Sequence, residues 1–459
     1  MQMGIKIARQ SLRGKISNYL TEETLPHALS LFRIVLGFTV IISIIRFWLN
    51  GWIVSLYLEP KFHFSFYGFS WIKPIGDYTY IVFLVALLSG LFVTIGYKFR
   101  ISIIMMFLSF TYIELMDKTT YLNHYYLVSL MSFMMIFLPG AAAFSIDSKK
   151  KGYTKVPKWT VDAVKTLLVL VYLYAGLAKI NSDWLLDAQP LKIWLKSKYL
   201  IPLIGNSILQ QELTHYFFSW GGMLYDISIP FLLLFKRTRV FAFGLVIIFH
   251  VLTRILFPPI GMFPVIMILS CLIFFDPNTH VKILNKFSFS VKNEFSSFKK
   301  NSKFDLANKI IICLFLLLQF LIPLRSSLYP GELFWTEQGY RFSWRVMLIE
   351  KTGYTTLKVL DKTSGKYELI NNSDYLTTFQ EKQMSFQPDM ILEYAHYIGD
   401  LYKKRGYDNI AIFAESYVAL NGRPSQTLID PNVNLYDKKR GFCNKNWINP
   451  APYEIKSLL

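Results

Sequence analysis

Long apolar runs constrain the fold of this chain more than any other feature. An α-helix rises about 1.5 Å per residue, so about 20 apolar residues cross the ~30 Å hydrocarbon core of a bilayer. We therefore predict an α-helical polytopic membrane protein with about nine transmembrane helices. The nine candidate runs lie at about 28–49, 79–97, 101–116, 125–142, 160–180, 213–235, 240–257, 259–275 and 309–325.

The distribution of basic residues predicts how these helices are oriented. Of the 49 Lys and Arg residues 33 lie in residues 1–326, together with 15 of the 30 acidic residues. The basic excess thus belongs to the apolar part, and we do not interpret it as a nucleic-acid surface. With the N-terminus inside, the cytoplasmic segments hold 21 basic residues and the outer loops hold 6, in agreement with the positive-inside rule. An odd number of helices then places the C-terminus outside.

The last part of the chain has a different composition, with 16 basic and 15 acidic residues in 327–459. Residues 356–360 and 410–417 alternate between apolar and polar side chains, which is typical of β-strands. We predict two domains: a transmembrane domain at 1–326 and a mainly-β soluble domain at 327–459 on the non-cytoplasmic side. The first apolar run contains Arg33 and Arg46 and no cleavage site, so we expect it to remain as an anchor.

Three further segments are predicted to lie near the bilayer surface. Residues 1–25 are basic and loosely amphipathic, as in a helix that lies on an anionic inner leaflet. Residues 189–200 place apolar side chains at helical spacing, which predicts a short surface helix. The outer loop at 50–78 is rich in aromatic residues and is interpreted as an interfacial cover.

Lys179 is the first of several ionisable residues near the outer ends of the predicted spans, where a charge needs a partner or a function. It closes the fifth run and follows Ala175, Gly176 and Ala178, which are small enough to let another helix approach closely. A lysine shielded from water releases its proton more readily and can then act as a base. The structural alternative is a lysine that reaches the outer interface.

Histidines occur at the same outer level. His124 follows Asn123 at the start of the fourth run, and the structural alternative is an interfacial histidine beside a helix-capping asparagine. His250 and Arg254 are four residues apart on the seventh run and share a face. They could form a structural polar pair, or Arg254 could hold an anion.

Asp226 lies inside the sixth run, after two glycines. A lone acid within a span usually pairs with a basic residue. We predict a structural pair and name Arg33, on the first run, as the candidate partner.

Several common site types are not indicated. The three cysteines include no C-x-x-C pair, and the seven histidines are scattered, so the sequence does not favour a metal site. There is no G-x-S-x-G, Walker or H-E-x-x-H motif.

Taken together, several segments resemble the vitamin K-dependent γ-glutamyl carboxylase family, including bacterial relatives with a horizontally transferred transmembrane (HTTM) domain. They occur in the family's order over nearly the whole chain. The segments are LFRIVLGF, DKTTYLNHYYL, YAGLAKINSDW, GGMLYDISIPFLL, FHVLTRILFPPIGMF, FWTEQGYRFSWRVML and YVALNGRPSQTLIDP.

The resemblance implies a membrane lyase that carboxylates glutamate side chains to γ-carboxyglutamate. Its co-substrates would be reduced vitamin K (phylloquinol or menaquinol), oxygen and carbon dioxide, without a metal, and vitamin K epoxide would be the second product. Lys179 occupies the position of the family's base, and His124 that of a functional histidine. The family's motifs also imply that Asn123, His250 and Arg254 bind the quinol. They imply that Trp335, Tyr340 and Trp344 bind a glutamate-containing peptide or protein.

Alternatives remain open at this point. Residues 330–334 replace a family segment that holds glutamate, and Glu332 would disfavour a glutamate carboxylate. A quinol epoxidase without protein carboxylation is one alternative, and a non-catalytic scaffold that binds quinone or lipid is another. The lack of paired cysteines favours a bacterial plasma membrane over an endoplasmic reticulum.

Overall fold

Long helices form the first part of the computed structural model, which describes residues 14–15, 17–286, 294–298 and 302–458. The helices that carry the argument below are α1 (His27–Leu49), α2 (Thr79–Ile95), α3 (Phe99–Met116), α4 (Asn123–Phe137), α5 (Ile146–Lys151), α6 (Lys158–Leu177), α7 (Ser182–Leu185), α8 (Leu191–Lys196), α9 (Glu212–Leu234), α10 (Arg239–Leu256), α11 (Phe263–Ser270), α12 (Pro277–Lys286) and α13 (Ser302–Leu321).

All nine predicted runs are helical, but not all are long enough to be counted as spans. Within the described residues, 7 helices are long and apolar enough to cross a membrane, or up to 8 if a bent pair is one span. The exceptions are α4, which has 15 residues, and the segment Phe263–Phe274, which is bent by 112° against Pro277–Ile283. The chain is thus an integral membrane protein, and the predicted number of nine is higher than length and composition support.

Close packing between α1 and α2 shows how the bundle is assembled. A Cβ atom added to Gly37 would lie 2.7 Å from the carbonyl oxygen of Gly90, so only glycine allows this crossing. On the side where the chain enters α1, strand β1 (Glu23–Thr24) pairs with β2 (Val156–Pro157) just before α6. The predicted surface helix at 1–25 lies largely outside the described residues.

The C-terminal part contains the predicted sheet and also helices that strand periodicity did not predict. Strands β3 (Lys351–Asp361), β4 (Tyr367–Leu369), β5 (Ile410–Leu420) and β6 (Gln426–Thr427) form an antiparallel sheet in the order β4-β3-β5-β6. Helices α14 (Leu333–Thr336), α15 (Thr378–Met384) and α16 (Pro388–Lys404) accompany it. The domain is therefore a sheet packed with helices rather than mainly strands.

The two parts of the chain share a hydrophobic core. The core of the C-terminal part includes Phe64, Trp184 and Leu195, which come from loops between membrane helices. The ring of Phe62 stacks on Tyr397 of α16 at a centroid distance of 4.3 Å. The loop 50–78, interpreted above as an interfacial cover, thus packs partly beneath the C-terminal part, while the predicted surface helix at 189–200 is present as α8.

Candidate functional site

The candidate site is built around a close crossing of α6 and α9. A Cβ atom added to Gly176 would lie 2.8 Å from the backbone nitrogen of Ile227 and 3.1 Å from the carbonyl carbon of Asp226. Glycine at this position lets the two backbones touch, as the run of small residues before Lys179 predicts. The crossing brings Asp226 to the end of α6.

Lys179 lies two residues beyond α6 and is 6% exposed. Its Nζ donates to Asp226 Oδ2 at 2.7 Å and to the carbonyl oxygen of Ala175 at 3.1 Å. It also lies 5.4 Å from the ring centroid of Trp184, at cation–π distance. The lysine is therefore buried in an ion pair and does not extend to the surface.

The predicted pairing of Asp226 with Arg33 is wrong. Arg33 is buried and donates to the carbonyl oxygens of Val93 at 3.0 Å and Phe144 at 2.6 Å. It therefore closes the far end of α2, whereas Asp226 faces Lys179. Of the two residues, only Asp226 lies at the site.

A pocket of ≈ 840 Å³, its mouth included, opens beside the ion pair. It lies between α6, α9, α10 and α11, and Val346 and Met347 of the C-terminal part also line it. Most lining side chains are apolar, which is typical of sites for apolar ligands. The aromatic lining residues are Tyr172, Trp184, Trp194, Phe218, Phe249, Phe257 and Phe263.

A second pair of polar side chains lines the same pocket. The Tyr172 hydroxyl lies 3.3 Å from His250 Nε2 and 3.5 Å from the Sγ atom of Cys271. Nδ1 of His250 is buried and has no hydrogen-bond partner among the described residues. The sequence interpretation missed Tyr172, although it lies seven residues, or two helical turns, before Lys179 and therefore shares its face.

His124 is buried behind the pocket wall. Its ring centroid lies 6.2 Å from that of Phe263, which in turn lies 5.4 Å from that of His250. His124 is not among the residues that line the pocket. One pocket-lining ring therefore lies close to both histidines.

Asn123 does not cap its helix, contrary to the structural alternative considered for it. It is the first residue of α4, after an N-cap without a side-chain bond. Its side chain accepts from the Tyr121 hydroxyl at 3.0 Å and donates to the Arg345 carbonyl at 3.4 Å. Asn123 therefore links the membrane part to the segment just before Val346 and Met347.

That segment has an unusual backbone. Phe342, Trp344 and Met347 have φ values of 62°, 57° and 52°, in the left-handed region that side chains disfavour. Contacts with the membrane part hold this segment in place. The Phe342 N–H donates to the Tyr121 hydroxyl at 2.9 Å. The ring of Trp344 stacks on that of Tyr126 at a centroid distance of 5.2 Å. Such locally strained backbone is common at functional sites.

Comparison with known proteins identifies the family. Residues 22–278 match the HTTM domain, and residues 305–454 match the lumenal domain of vitamin K-dependent gamma-carboxylase. The chain belongs to the vitamin K-dependent gamma-carboxylase family. No solved structure matches the chain.

Arg254 of this gamma-carboxylase family member lies outside the pocket. It is exposed and donates to the carbonyl oxygen of Pro258, whereas His250, one turn earlier, is buried and faces the pocket. The two residues thus do not form the polar pair considered from their spacing.

The predicted substrate-binding aromatics occupy different environments. Trp335 is fully buried and donates to the Asn449 carbonyl at 2.8 Å. Trp344 is buried against Tyr126. Tyr340 is partly buried, at 6.2 Å from the ring of Phe334, and burial raises its pKa. Contact with glutamate stays a prediction for all three.

Glu332 does not face the pocket in this protein. Its carboxylate accepts from the backbone N–H groups of Phe334 at 3.2 Å and Ile455 at 3.0 Å, and burial raises its pKa. It caps α14 and fixes the C-terminal tail. Its negative charge is therefore engaged with backbone amides, away from the lining residues.

An ion pair joins the C-terminal part to the segment that follows Lys179. Asp183 is 1% exposed and accepts from both terminal nitrogens of Arg423 at 2.7 Å, and from Asn421 at 2.7 Å. Arg423 comes from the segment after β5. This bidentate pair anchors the turn between Lys179 and the pocket-lining Trp184.

A second charged cluster holds α16 against the outer loops. Lys118 lies 3.1 Å from Glu393 and 2.9 Å from Asp389, and Arg440 lies 2.9 Å from Glu393. Although burial opposes it, Arg341 and Lys118 hold the pKa of Asp389 far below its usual range. The cluster and the Asp183–Arg423 pair together dock the C-terminal part onto the outer loops.

Proposed function

We propose that this protein carboxylates glutamate side chains with reduced vitamin K, oxygen and carbon dioxide, and that Lys179 takes the first proton from the quinol. The observation that carries the proposal is a buried lysine beside an apolar pocket between membrane helices. Membership of the vitamin K-dependent gamma-carboxylase family supports the choice of ligand.

The pocket fits the chemistry of such a quinol. A fused aromatic ring suits the aromatic side chains around Lys179, and an apolar tail suits a pocket between helices that face lipid. Phylloquinol and menaquinol share this ring, so either could bind. Once bound and deprotonated, the reduced vitamin reacts with oxygen and supplies the strong base that removes a proton from the γ-carbon of glutamate.

The residues of this chain would bind the quinol, orient it and shield it from water. Lys179 contacts the pocket at its polar end, and Tyr172 with His250 offers a second hydrogen-bonding pair to a ligand oxygen. Asn123 and Tyr121 hold the backbone that brings Val346 and Met347 to the pocket, which excludes water from a reactive species that water would quench. We propose a supporting role for His124 through Phe263.

The glutamate substrate would approach through the C-terminal part, because a charged peptide cannot enter from lipid. We propose that Tyr340 contributes to that surface and that the buried Trp335 and Trp344 shape it. Arg254, which is exposed near the outer end of α10, would contact lipid headgroups or the quinol only outside the pocket.

The placement in the cell follows from the same proposal. The match to a lumenal domain supports a C-terminal part on the non-cytoplasmic side. We propose residues 1–326 and 327–459 as the two domains, and a bacterial plasma membrane as the location.

The deciding experiment uses purified protein with reduced vitamin K and a glutamate-containing peptide. Vitamin K epoxide and incorporation of labelled carbon dioxide into the peptide are measured for the wild type, Lys179→Ala and Lys196→Ala. We expect Lys179→Ala to lose both activities by about 100-fold or more, as for removal of an acid–base group. The exposed Lys196 serves as the matched control and should retain both.

Three other outcomes would each change the proposed function in a different way. Full activity of Lys179→Ala would remove the base from the proposal. Epoxidation by the wild type without labelled product would favour the epoxidase alternative. Absence of both activities in the wild type would favour the non-catalytic scaffold.

A further inference from the structure

The ion pair of Lys179 raises a chemical difficulty for its role as a base. A charged ammonium has three N–H donors and no lone pair, so it cannot accept a proton. The Nζ of Lys179 already donates to Asp226 at 2.7 Å and to the Ala175 carbonyl at 3.1 Å. In this arrangement the lysine can take a proton only if it passes one on.

Asp226 is positioned to receive that proton. Among the described residues, Lys179 is its ion-pair partner, and the two side chains are each 8% exposed. Both residues line the pocket. The other acceptor, the Ala175 carbonyl, is an amide oxygen and is far less basic than a carboxylate.

The backbone brings these two residues together. A Cβ atom added to Gly176, one turn before Lys179 on the chain, would lie 2.8 Å from the nitrogen of Ile227 and 3.1 Å from the carbonyl carbon of Asp226. The helix crossing therefore keeps the backbone of Asp226 within side-chain reach of the lysine.

We propose that Asp226 is the proton acceptor of the pocket and that Lys179 relays the proton to it. This inference rests on the proposed function. The quinol O–H bond breaks and its proton moves to Lys179 Nζ, while an N–H bond of Lys179 breaks and that proton moves to Asp226 Oδ2. The electron pair of the O–H bond stays on the quinol oxygen.

The charges after the transfer explain why a lysine lies between the quinol and Asp226. Lys179 keeps its positive charge, Asp226 becomes neutral, and the new negative charge lies on the ligand beside the ammonium. The pocket holds the same net charge before and after, so no uncompensated charge is created in a desolvated site. A direct contact between Asp226 and the ligand would lack that stabilising cation.

The test compares Asp226→Asn and Asp226→Glu with a control, Ser228→Ala, whose exposed side chain donates to the Tyr225 carbonyl of its own helix. We expect Asp226→Asn to bind oxidised vitamin K within threefold of wild type but to lose epoxidation by about 100-fold or more. Asp226→Glu should recover part of the activity, and Ser228→Ala should match the wild type.

A spectroscopic measurement separates proton transfer from a merely structural role. Under anaerobic conditions, addition of reduced vitamin K to the wild type should produce the infrared band of a protonated carboxyl group. This band should be absent in Asp226→Asn and in Lys179→Ala. If Asp226→Asn fails to fold, the infrared band of the wild type and the epoxidation activity of Asp226→Glu still test the proposal.

Two results would overturn the inference: wild-type epoxidation by Asp226→Asn, or no carboxyl band in the wild type. If Lys179→Ala is inactive while Asp226→Asn is fully active, only the relay fails and the proposed function stands. If Lys179→Ala is also fully active, the assignment of Lys179 as the base in the proposed function fails as well.

Discussion

At the scale of single residues, three ion pairs lie at or near the boundary between the membrane part and the C-terminal part. Lys179 has Asp226, Asp183 has Arg423, and Lys118 has Glu393. Each pair joins segments far apart in the chain. A buried charge that loses its partner destabilises the folded state by about 3–5 kcal/mol, so these contacts constrain the fold as well as the site.

Asp117 is the buried carboxyl at this boundary that gives a pH-dependent prediction. It accepts from the Thr119 backbone and hydroxyl and from Gln380. Burial nevertheless raises its pKa from 3.8 to about 6. A raised carboxyl pKa contributes stability below about pH 4, and that contribution is lost as the pH rises through about 6.

We therefore expect the wild type to lose stability relative to Asp117→Asn between pH 4 and 7. The loss should be on the order of 3 kcal/mol, from about two pKa units. Thermal unfolding in detergent at both pH values measures it, with the exposed Asp77→Asn as control. An equal difference between wild type and Asp117→Asn at the two pH values would contradict this account.

At the scale of secondary-structure elements, the crossing of α6 and α9 determines the site. The distance between the two helices depends on Gly176, because a side chain there would collide with backbone atoms of α9. The small residues before Lys179 predicted such a crossing, but did not show which helix takes part. That helix turned out to be α9, so the partner of Asp226 is Lys179 and not Arg33.

Substitution of Gly176 by alanine tests the crossing. The added Cβ lies 2.6 Å from Ile227 Cγ1 and 2.8 Å from its backbone nitrogen, so α9 must move and the Lys179–Asp226 contact must lengthen. We expect about tenfold slower epoxidation, since small misplacements cost up to about 100-fold. The melting temperature should also fall, although alanine is the better helix former by about 1 kcal/mol.

Gly221→Ala provides the matched control on α9. A Cβ there has nothing within 4 Å, so the substitution should leave activity unchanged and stability equal or slightly higher. Equal behaviour of the two alanine variants would show that the crossing does not position the site.

At the scale of the whole molecule, the C-terminal part completes the pocket. Val346 and Met347 line it, and docking depends on the Asp183–Arg423 pair and on the cluster around Lys118. The shared hydrophobic core, with loop residues such as Phe64 and Trp184, reinforces this arrangement. We infer that the C-terminal part must be docked for the pocket to exclude water.

Arg423→Met tests docking away from the pocket. The change leaves the buried Asp183 with Asn421 as its remaining side-chain partner and should lower stability by about 3 kcal/mol. Epoxidation should fall because the turn before Trp184 loosens. Thermal unfolding and epoxide formation measure both effects.

The exposed pair between Lys192 and Glu212 supplies the control. Lys192→Met should cost little stability, since exposed ion pairs contribute little to folding. A cost for Arg423→Met no larger than this would show that the buried pair does not hold the domains together.

Local features of the sequence were enough to predict the membrane helices, the sheet and the candidate base. Hydrophobic length and periodicity act within one segment, so the ends of α1, α9 and α10 lie within a few residues of their predicted positions. Strand alternation likewise located β3 and β5. The helix α16 was missed although its buried side chains Met390, Tyr394 and Ile398 recur every four residues, because the prediction for this part rested on the two alternating segments alone.

Contacts between distant segments could be decided only by the tertiary structure. Lys179 could be placed near the outer surface from the sequence, because its position relative to one apolar run is a local property. Its partnership with Asp226 and the role of Asn123 under the C-terminal segment depend on which helices cross, and at what height. That choice is made by packing of whole helices around glycines such as Gly176, and no single stretch of sequence contains it.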